Sequence, residues 1–312
     1  MTSDLNLPKI SIITPVKNSV GSLEKAIKSL LDQNYPNLEY IVIDGSSTDG
    51  TLDIIKKYRN HISHFESEDD NSNVVAYIKG IKRATGEIIG LFNADDFYEK
   101  ETLKKVGETF RDNPDLDAVS LRFRVIKNEK IIEETRAQDA ILERDSVIQI
   151  FGANTRFLKK DLFYKYGFPL TTDDVGRVLI SNDLEYLIRF TLKGIKNKII
   201  DYVGYNYVSH DNSLTFSNNI KNRIRLYEDR IFIAKKFLNS SEFDLPKIWK
   251  KTFKRWIKKY RAMIAIKYLK QKEWGLGSKN FALGAKESGF FKFIFYCIKT
   301  LLRSRREKKV GF

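Results

Sequence analysis

Two neighbouring carboxylates, Asp95 and Asp96, close an apolar run that ends at Phe92. Side by side at the mouth of a strand, two such charges repel. They are tolerated if a divalent cation sits between them and an anionic ligand, and all-oxygen ligands with open positions suit Mg²⁺ or Mn²⁺ bridging to phosphate. The plainer alternative is a solvated turn in which Asp96 caps the next helix. A third carboxylate, Asp44, ends the apolar run Tyr40–Ile43. It can accept from a base N–H or a ribose hydroxyl, or from the backbone of Gly45–Ser47 as an Asx turn. Asp49 reads as a helix cap.

The elements that must hold these groups follow from hydrophobic period. Strands are expected at 9–13, 39–43, 62–66, 87–92 and 118–123. Helical faces are expected from Leu23, Ile27, Leu30 and Leu31, from Leu52, Ile55 and Lys56, and from Val74, Ile78 and Ile81. Strands alternating with helices predict a parallel, doubly wound sheet. In such a sheet ligands bind outside the carboxyl ends of the strands. The loops Thr14–Asn18, Asp44–Gly50 and Asn93–Asp96 should therefore meet at one crevice. Residues 121–150 predict a hairpin turning at 127–130 and then a connecting helix, and Leu184–Leu192 predicts another helix. The polar stretch 170–176 reads as a mobile loop. From Ile220 onward the pattern is helical, with Gly275, Gly277 and Gly284 expected to break it.

The stretches Ser11–Val16, Ile41–Thr51, Ala84–Ile89 and Asn93–Asp96, in this order and spacing, resemble glycosyltransferase family 2 over roughly residues 8–215. The resemblance implies a GT-A, Rossmann-like, mostly parallel α/β fold over residues 1–215, with a helical C-terminal extension from 216 to 312. It implies an inverting glycosyltransferase that uses a nucleotide diphosphate sugar of the UDP type. The acceptor would be a hydroxyl of a lipid-linked or cell-surface glycan. Thr14, Pro15, Val16, Asp44, Asp70, Asn93 and Asp95 would bind the nucleotide, and Asp95 and Asp96 would hold Mn²⁺ or Mg²⁺. The segment Ser181–Glu185, followed by Arg189, resembles the family's acidic catalytic motif. It makes Asp183 the general base, at a helix start where the dipole favours the ionised form, with Glu185 the next residue to test. His210, in a segment resembling the family's His-x-x-Ser, would complete the metal site; a structural role for this lone histidine is the alternative. Lys17, Val20, Ser72 and Ile78 depart from the family pattern.

The net charge of +15 is concentrated at one end. From Pro246 on there are 20 Lys and Arg against 3 Asp and Glu, and the rest of the chain is close to neutral. Basic residues interleave with Trp249, Phe253, Trp256 and Tyr260, and again follow Phe290–Leu302. This pattern points to an anionic membrane surface as partner, and no nucleic acid is expected. A packed helical layer with solvated lysines is the alternative. Met1–Asp4 begins no signal peptide, and Phe293–Ile298 is far too short to span a bilayer. Cys297, the single cysteine, excludes an internal disulfide. The expected place is the cytoplasm, peripheral on the inner face of the cell membrane. A nucleotidyltransferase would need a glycine-rich basic loop after the first strand, which Thr14–Asn18 does not provide. A non-catalytic nucleotide-sugar-binding or scaffold protein of the same fold stays open as the alternative function.

Overall fold

A computed structural model describes residues 6–69, 72–137, 152–210 and 219–309. The chain runs through β1 (Ile10–Val16), α1 (Leu23–Leu31), β2 (Leu38–Asp44), α2 (Thr51–Lys57), β3 (His64–Ser67), α3 (Asn73–Arg83) and β4 (Ile88–Leu91). It continues with β5 (Phe97–Tyr98), α4 (Thr102–Asp112), β6 (Ala118–Lys127), β7 (Lys130–Glu134), β8 (Arg156–Lys159), α5 (Asp161–Tyr166), α6 (Asn182–Leu192) and β9 (Asn197–Val208). Four helices follow: α7 (Ile220–Asn239), α8 (Lys247–Lys270), α9 (Trp274–Ser288) and α10 (Phe290–Lys309). These fall into two compact units, one of residues up to Thr172 with Asn182–Ser209, the other of Asp173–Ser181 with the chain from His210.

The first unit is a mixed α/β fold on one sheet, in the order β3-β2-β1-β4-β8-β6-β9-β5, with β7 paired to β6. The contiguous strands β3, β2, β1 and β4 are parallel, as their alternation with helices predicts. Strands β1 and β2 are buried on both faces, which is why they read as continuous apolar runs. Beyond β4 the sheet becomes mixed: β8 is antiparallel to β4 and β6, and β9 is parallel to β6. The hairpin from β6 to β7 turns at Asn128 (φ 48°) and Glu129 (φ 63°), both left-handed as a type I′ turn requires.

Helix α1 buries Leu23, Ala26, Ile27 and Leu30 at helical spacing. Helix α3 buries Val74, Tyr77, Gly80 and Ile81, so Tyr77 rather than the expected Ile78 faces inward. Gly80 lets α3 lie against the Ile13 side chain of β1, where any Cβ would collide. Helix α6 is buried along nearly its whole length.

In the second unit Trp249, Phe253, Ile257 and Tyr260 form the buried stripe of α8, with Phe253 stacked on Phe237 and Tyr260 on Tyr227. The expected helix break at the glycines does not occur. Gly277 and Gly284 lie within α9, where a Cβ would strike Leu269 and the Phe293 ring. These glycines permit close helix packing, and that offsets their cost of roughly 1 kcal/mol each in helix propensity. The polar stretch expected to be mobile continues into a hydrogen-bonded turn. Asp173 accepts from the N–H groups of Val175 and Arg177 and from Arg177 Nε. Fully buried Asp229 of α7 accepts from the N–H groups of Ile180 (2.7 Å) and Ser181 (2.9 Å). The connecting helix expected before residue 150 lies outside the described residues.

Candidate functional site

Strand register sets the site. Val16 lies beside Asp44, Asp44 beside Ser67, and Ile13 beside Leu91. The loops after β1, β2 and β4 therefore leave the same carboxyl edge of the sheet, as the parallel topology requires.

The first two loops are stitched together. Asn18 N–H donates to Ser47 Oγ, and Thr48 N–H to Asn18 Oδ1, each at 2.8 Å. Val20 N–H donates to Asp49 (3.1 Å) and Ser19 N–H to Thr51 Oγ1 (2.8 Å). Asp49 also accepts from Thr51 N–H just before α2. Asp44 has no exposed surface. Its carboxylate accepts from Ser47 N–H (3.0 Å), Ser47 Oγ and Ser67 Oγ (2.7 Å). The Asx turn is thus formed, and it holds Ser46 in the left-handed region (φ 59°). Among the other expected nucleotide contacts, Pro15 is half-buried and Val16 buried. Thr14 has no accessible surface and lies within the strand core. Lys17 pairs with exposed Asp69 (3.1 Å). Asp70 lies outside the described residues.

After β4 a polar network forms. Tyr77 OH donates to Asn93 Oδ1 (2.7 Å), and Asn93 Nδ2 donates to Asp96 Oδ2 (2.9 Å). Tyr205 OH of β9 donates to the same oxygen (2.6 Å), and Val208 N–H to Asp96 Oδ1 (2.8 Å). Asn154 Nδ2 donates to Tyr205 OH (3.2 Å). Asp96 is 1% exposed. Burial first, then the charge of Asp95, pushes its carboxyl up, against the hydrogen bonds from Tyr205, Val208 and Asn93.

The two carboxylates are therefore unequal. Asp96 is turned inward, with both oxygens accepting from the protein. Asp95 is only half-buried. Among the described residues no group of three or more His, Cys, Asp or Glu is arranged to hold an ion. The donor set still suits a hard cation, because Asp95 offers oxygen beside a buried acid whose charge is disfavoured; diphosphate oxygens and water would complete the shell.

Asp183 sits in the first turn of α6, half-buried in a helix otherwise sunk in the protein, and its Oδ1 accepts from Leu184 N–H (2.8 Å). Electrostatics joins it to the β4 loop. Burial raises the Tyr77 hydroxyl, and Tyr186, Asp96 and Asp95 raise it further. Burial raises the Tyr186 hydroxyl too, with Asp183 adding to it. Sequence reasoning missed Arg156, 1% exposed at the start of β8. Burial lowers it to about 10, and the opposing influences are Tyr186 and Asp183. A buried guanidinium thus lies within electrostatic reach of Asp183. Its only sequence signal was an Arg opening an apolar run.

The Glu185 carboxylate is buried in an ion pair with Arg189 (2.9 Å), and Arg189 also donates to the carbonyls of Tyr166, Gly167 and Phe168. The pair locks α6 to the end of α5. His210 is exposed and belongs to the second unit, whereas Asp44, Asn93, Asp95, Asp96 and Asp183 all belong to the first. The rest of the His-x-x-Ser segment, Asp211–Thr215, is outside the described residues.

The model of glycosyl transferase family 2 matches residues 11–170, half of the chain, and the chain belongs to that family. TuaG of Bacillus subtilis, named for a glycosyltransferase of teichuronic acid biosynthesis, is 36% identical over 103 residues, covering 31% of this chain and 40% of TuaG. The poly(ribitol-phosphate) β-N-acetylglucosaminyltransferase TarS of Staphylococcus aureus is 30% identical over 143 residues, 43% of this chain and 25% of TarS. The matches thus span less than half of either relative's length. The fold is similar to that of S. aureus TarS 1–349 solved with UDP, with a TM-score of 0.65 at 19% identity over 97% of this chain and 92% of that one. It is also similar to a mannosyltransferase of Pyrobaculum calidifontis solved with GDP-Man and Mn²⁺, with a TM-score of 0.60 at 17% identity over 96% and 81%.

Proposed function

We propose that the chain is an inverting, metal-dependent glycosyltransferase that moves a sugar from a nucleotide diphosphate sugar, of the UDP type, to a hydroxyl of a lipid-linked or cell-surface glycan. The observation that carries this reading is the polar network in which Tyr77, Asn93 and Tyr205 hold buried Asp96 beside half-buried Asp95, in the same unit as Asp183. The UDP and UDP-GlcNAc bound in TarS, and the Mn²⁺ bound in the mannosyltransferase, support the donor type and the ion.

Pro15, Val16 and Asp44 border the nucleotide base, with Asp44 shaping the loop. Asp95 supplies the protein ligand to Mn²⁺ or Mg²⁺, which when bound neutralises charge on the leaving diphosphate. Asp96, pinned by Tyr205 and Asn93, fixes the loop that carries Asp95. Asp183 takes the proton of the acceptor hydroxyl as that oxygen bonds to the anomeric carbon. The bond from this carbon to the diphosphate oxygen breaks on the opposite face, and its electron pair leaves with the diphosphate. The configuration inverts in one step. Arg156 favours the ionised form of Asp183 before each turnover. The basic C-terminal region keeps the protein at the inner face of the cell membrane, beside its acceptor. Asp70 contacting the nucleotide is part of the same proposal.

Donor hydrolysis and transfer assays across nucleotide sugars, with Asp183→Asn as the control, test the reading. Turnover that needs Asp183 supports it. Tight donor binding with no turnover on any acceptor would leave a non-catalytic binding protein instead.

A further inference from the structure

One side of α10 is anchored and the opposite side is apolar and bare. Phe293 is buried against Gly284 of α9, with its ring edge-on to Phe281 at 5.2 Å between centroids. This contact fixes the rotation of the helix. At about 100° per residue, Phe291, Phe295 and Ile298 fall within about 60° of one another on the side facing away from Phe293. They are 83%, 65% and 50% exposed. Lys292 and Lys299, both exposed, lie along one flank of this stripe. A helix that packs only against its own protein has one apolar face; α10 has two, and among the described residues nothing covers the second.

We infer that the Phe291–Phe295–Ile298 face of α10 is the surface by which the protein inserts into the headgroup layer of an anionic phospholipid membrane. The inference rests on the membrane reading given above and assigns it to one face. Charge selects the occupant. With 20 basic and 3 acidic residues from Pro246 on, a second copy docked on this face would set two strongly cationic segments against each other. An anionic lipid surface complements them, and apolar side chains flanked by lysine suit the boundary between headgroups and acyl chains. Among the described residues no helix is long and apolar enough to cross a membrane, which fits a helix lying in the interface. Exposed Trp274 and Leu276 at the start of α9 add apolar surface to the same unit.

The experiment is co-sedimentation of the full chain with vesicles of phosphatidylcholine alone and of equal parts phosphatidylcholine and phosphatidylglycerol. The wild type is compared with the triple variant F291S/F295S/I298S and with K250E/K254E, which alters exposed charges on α8. Thermal melting and hydrolysis of a soluble donor verify that each variant is folded. The expected result is wild-type binding to the anionic vesicles only, at least about tenfold weaker partitioning of the triple variant, and unchanged melting. K250E/K254E should lose binding in proportion to salt while retaining the apolar contribution. If the wild type binds and the triple variant binds equally well, this face is wrong while the membrane reading stands. If the wild type does not bind anionic vesicles, both fall. If ultracentrifugation shows a wild-type dimer that the triple variant dissolves, the occupant is a second copy and the inference is overturned.

Discussion

The two edges of one sheet hold buried carboxylates in opposite states. At the amino edge, Glu39 near the start of β2 is 7% exposed. It accepts from Ser11 Oγ, Thr85 N–H (2.8 Å), Thr85 Oγ1 (2.6 Å) and Gly86 N–H (3.3 Å), joining β1, β2 and the turn before β4. Burial pushes its carboxyl up, but these hydrogen bonds outweigh it and bring it down to about 2. At the carboxyl edge, Asp96 is more deeply buried, and its three donors do not offset that desolvation and the added charge of Asp95, so it is shifted upward. A buried carboxylate whose donors suffice is a brace. Where burial disfavours the charge of one carboxylate, as at Asp96, the half-buried neighbour Asp95 is the one proposed to meet a cation.

This contrast can be broken by separating activity from stability at the two edges. The largest effect belongs to Asp183→Asn, for which kcat should fall by about a hundredfold or more while donor affinity measured by calorimetry stays at the wild-type value. Unchanged turnover would remove Asp183 from its role. Next comes Glu39→Gln, which should cost about 3 kcal/mol of stability at neutral pH and leave donor affinity alone. The sign follows from the depressed value. Glu39 contributes fully above its unfolded value of 4.5, and the contribution is lost as pH falls toward about 2. Urea melts of the two proteins should therefore converge on acidification; a gap that stays constant with pH would deny the charged brace. A smaller effect is expected for Arg156→Lys, which keeps the charge but not the planar guanidinium, and for Arg156→Met, which loses both. The acidic limb of the kcat profile should move to higher pH in the methionine variant and little in the lysine variant. Equal limbs in all three proteins would make Arg156 purely structural. The smallest is Ser46→Gly, which relieves a left-handed residue in the Asp44 turn and should stabilise by less than about 1 kcal/mol without altering donor affinity.

Local pattern made one half of the sheet legible. Strands β1, β2 and β4 are apolar runs ending in turn residues, and their carboxyl-edge loops meet because parallel strands leave them no other edge. The hairpin at Asn128 and Glu129 was visible for the same reason. The other half was not legible. Strand β8 lies between β4 and β6, and β9 between β6 and β5, so their partners are distant in sequence, and β8 is only a four-residue run. Sequence order could not say which of Asp95 and Asp96 turns inward, because Tyr205 arrives from a strand more than a hundred residues later. The sequence offered Glu185 as a second acidic residue to test and did not show that it is buried in a pair with Arg189, and Gly277 and Gly284 looked like breaks until the neighbours they admit were known.

The central claim is that Asp95, beside buried Asp96, holds a divalent cation against the donor's diphosphate. Calorimetric titration of a UDP-sugar into the wild type, Asp95→Ala and Glu39→Gln, each with and without Mn²⁺, tests it most directly. Mn²⁺ should tighten donor binding by at least about tenfold in the wild type and in Glu39→Gln, and this gain should be absent in Asp95→Ala. An equal Mn²⁺-dependent gain in Asp95→Ala would contradict it.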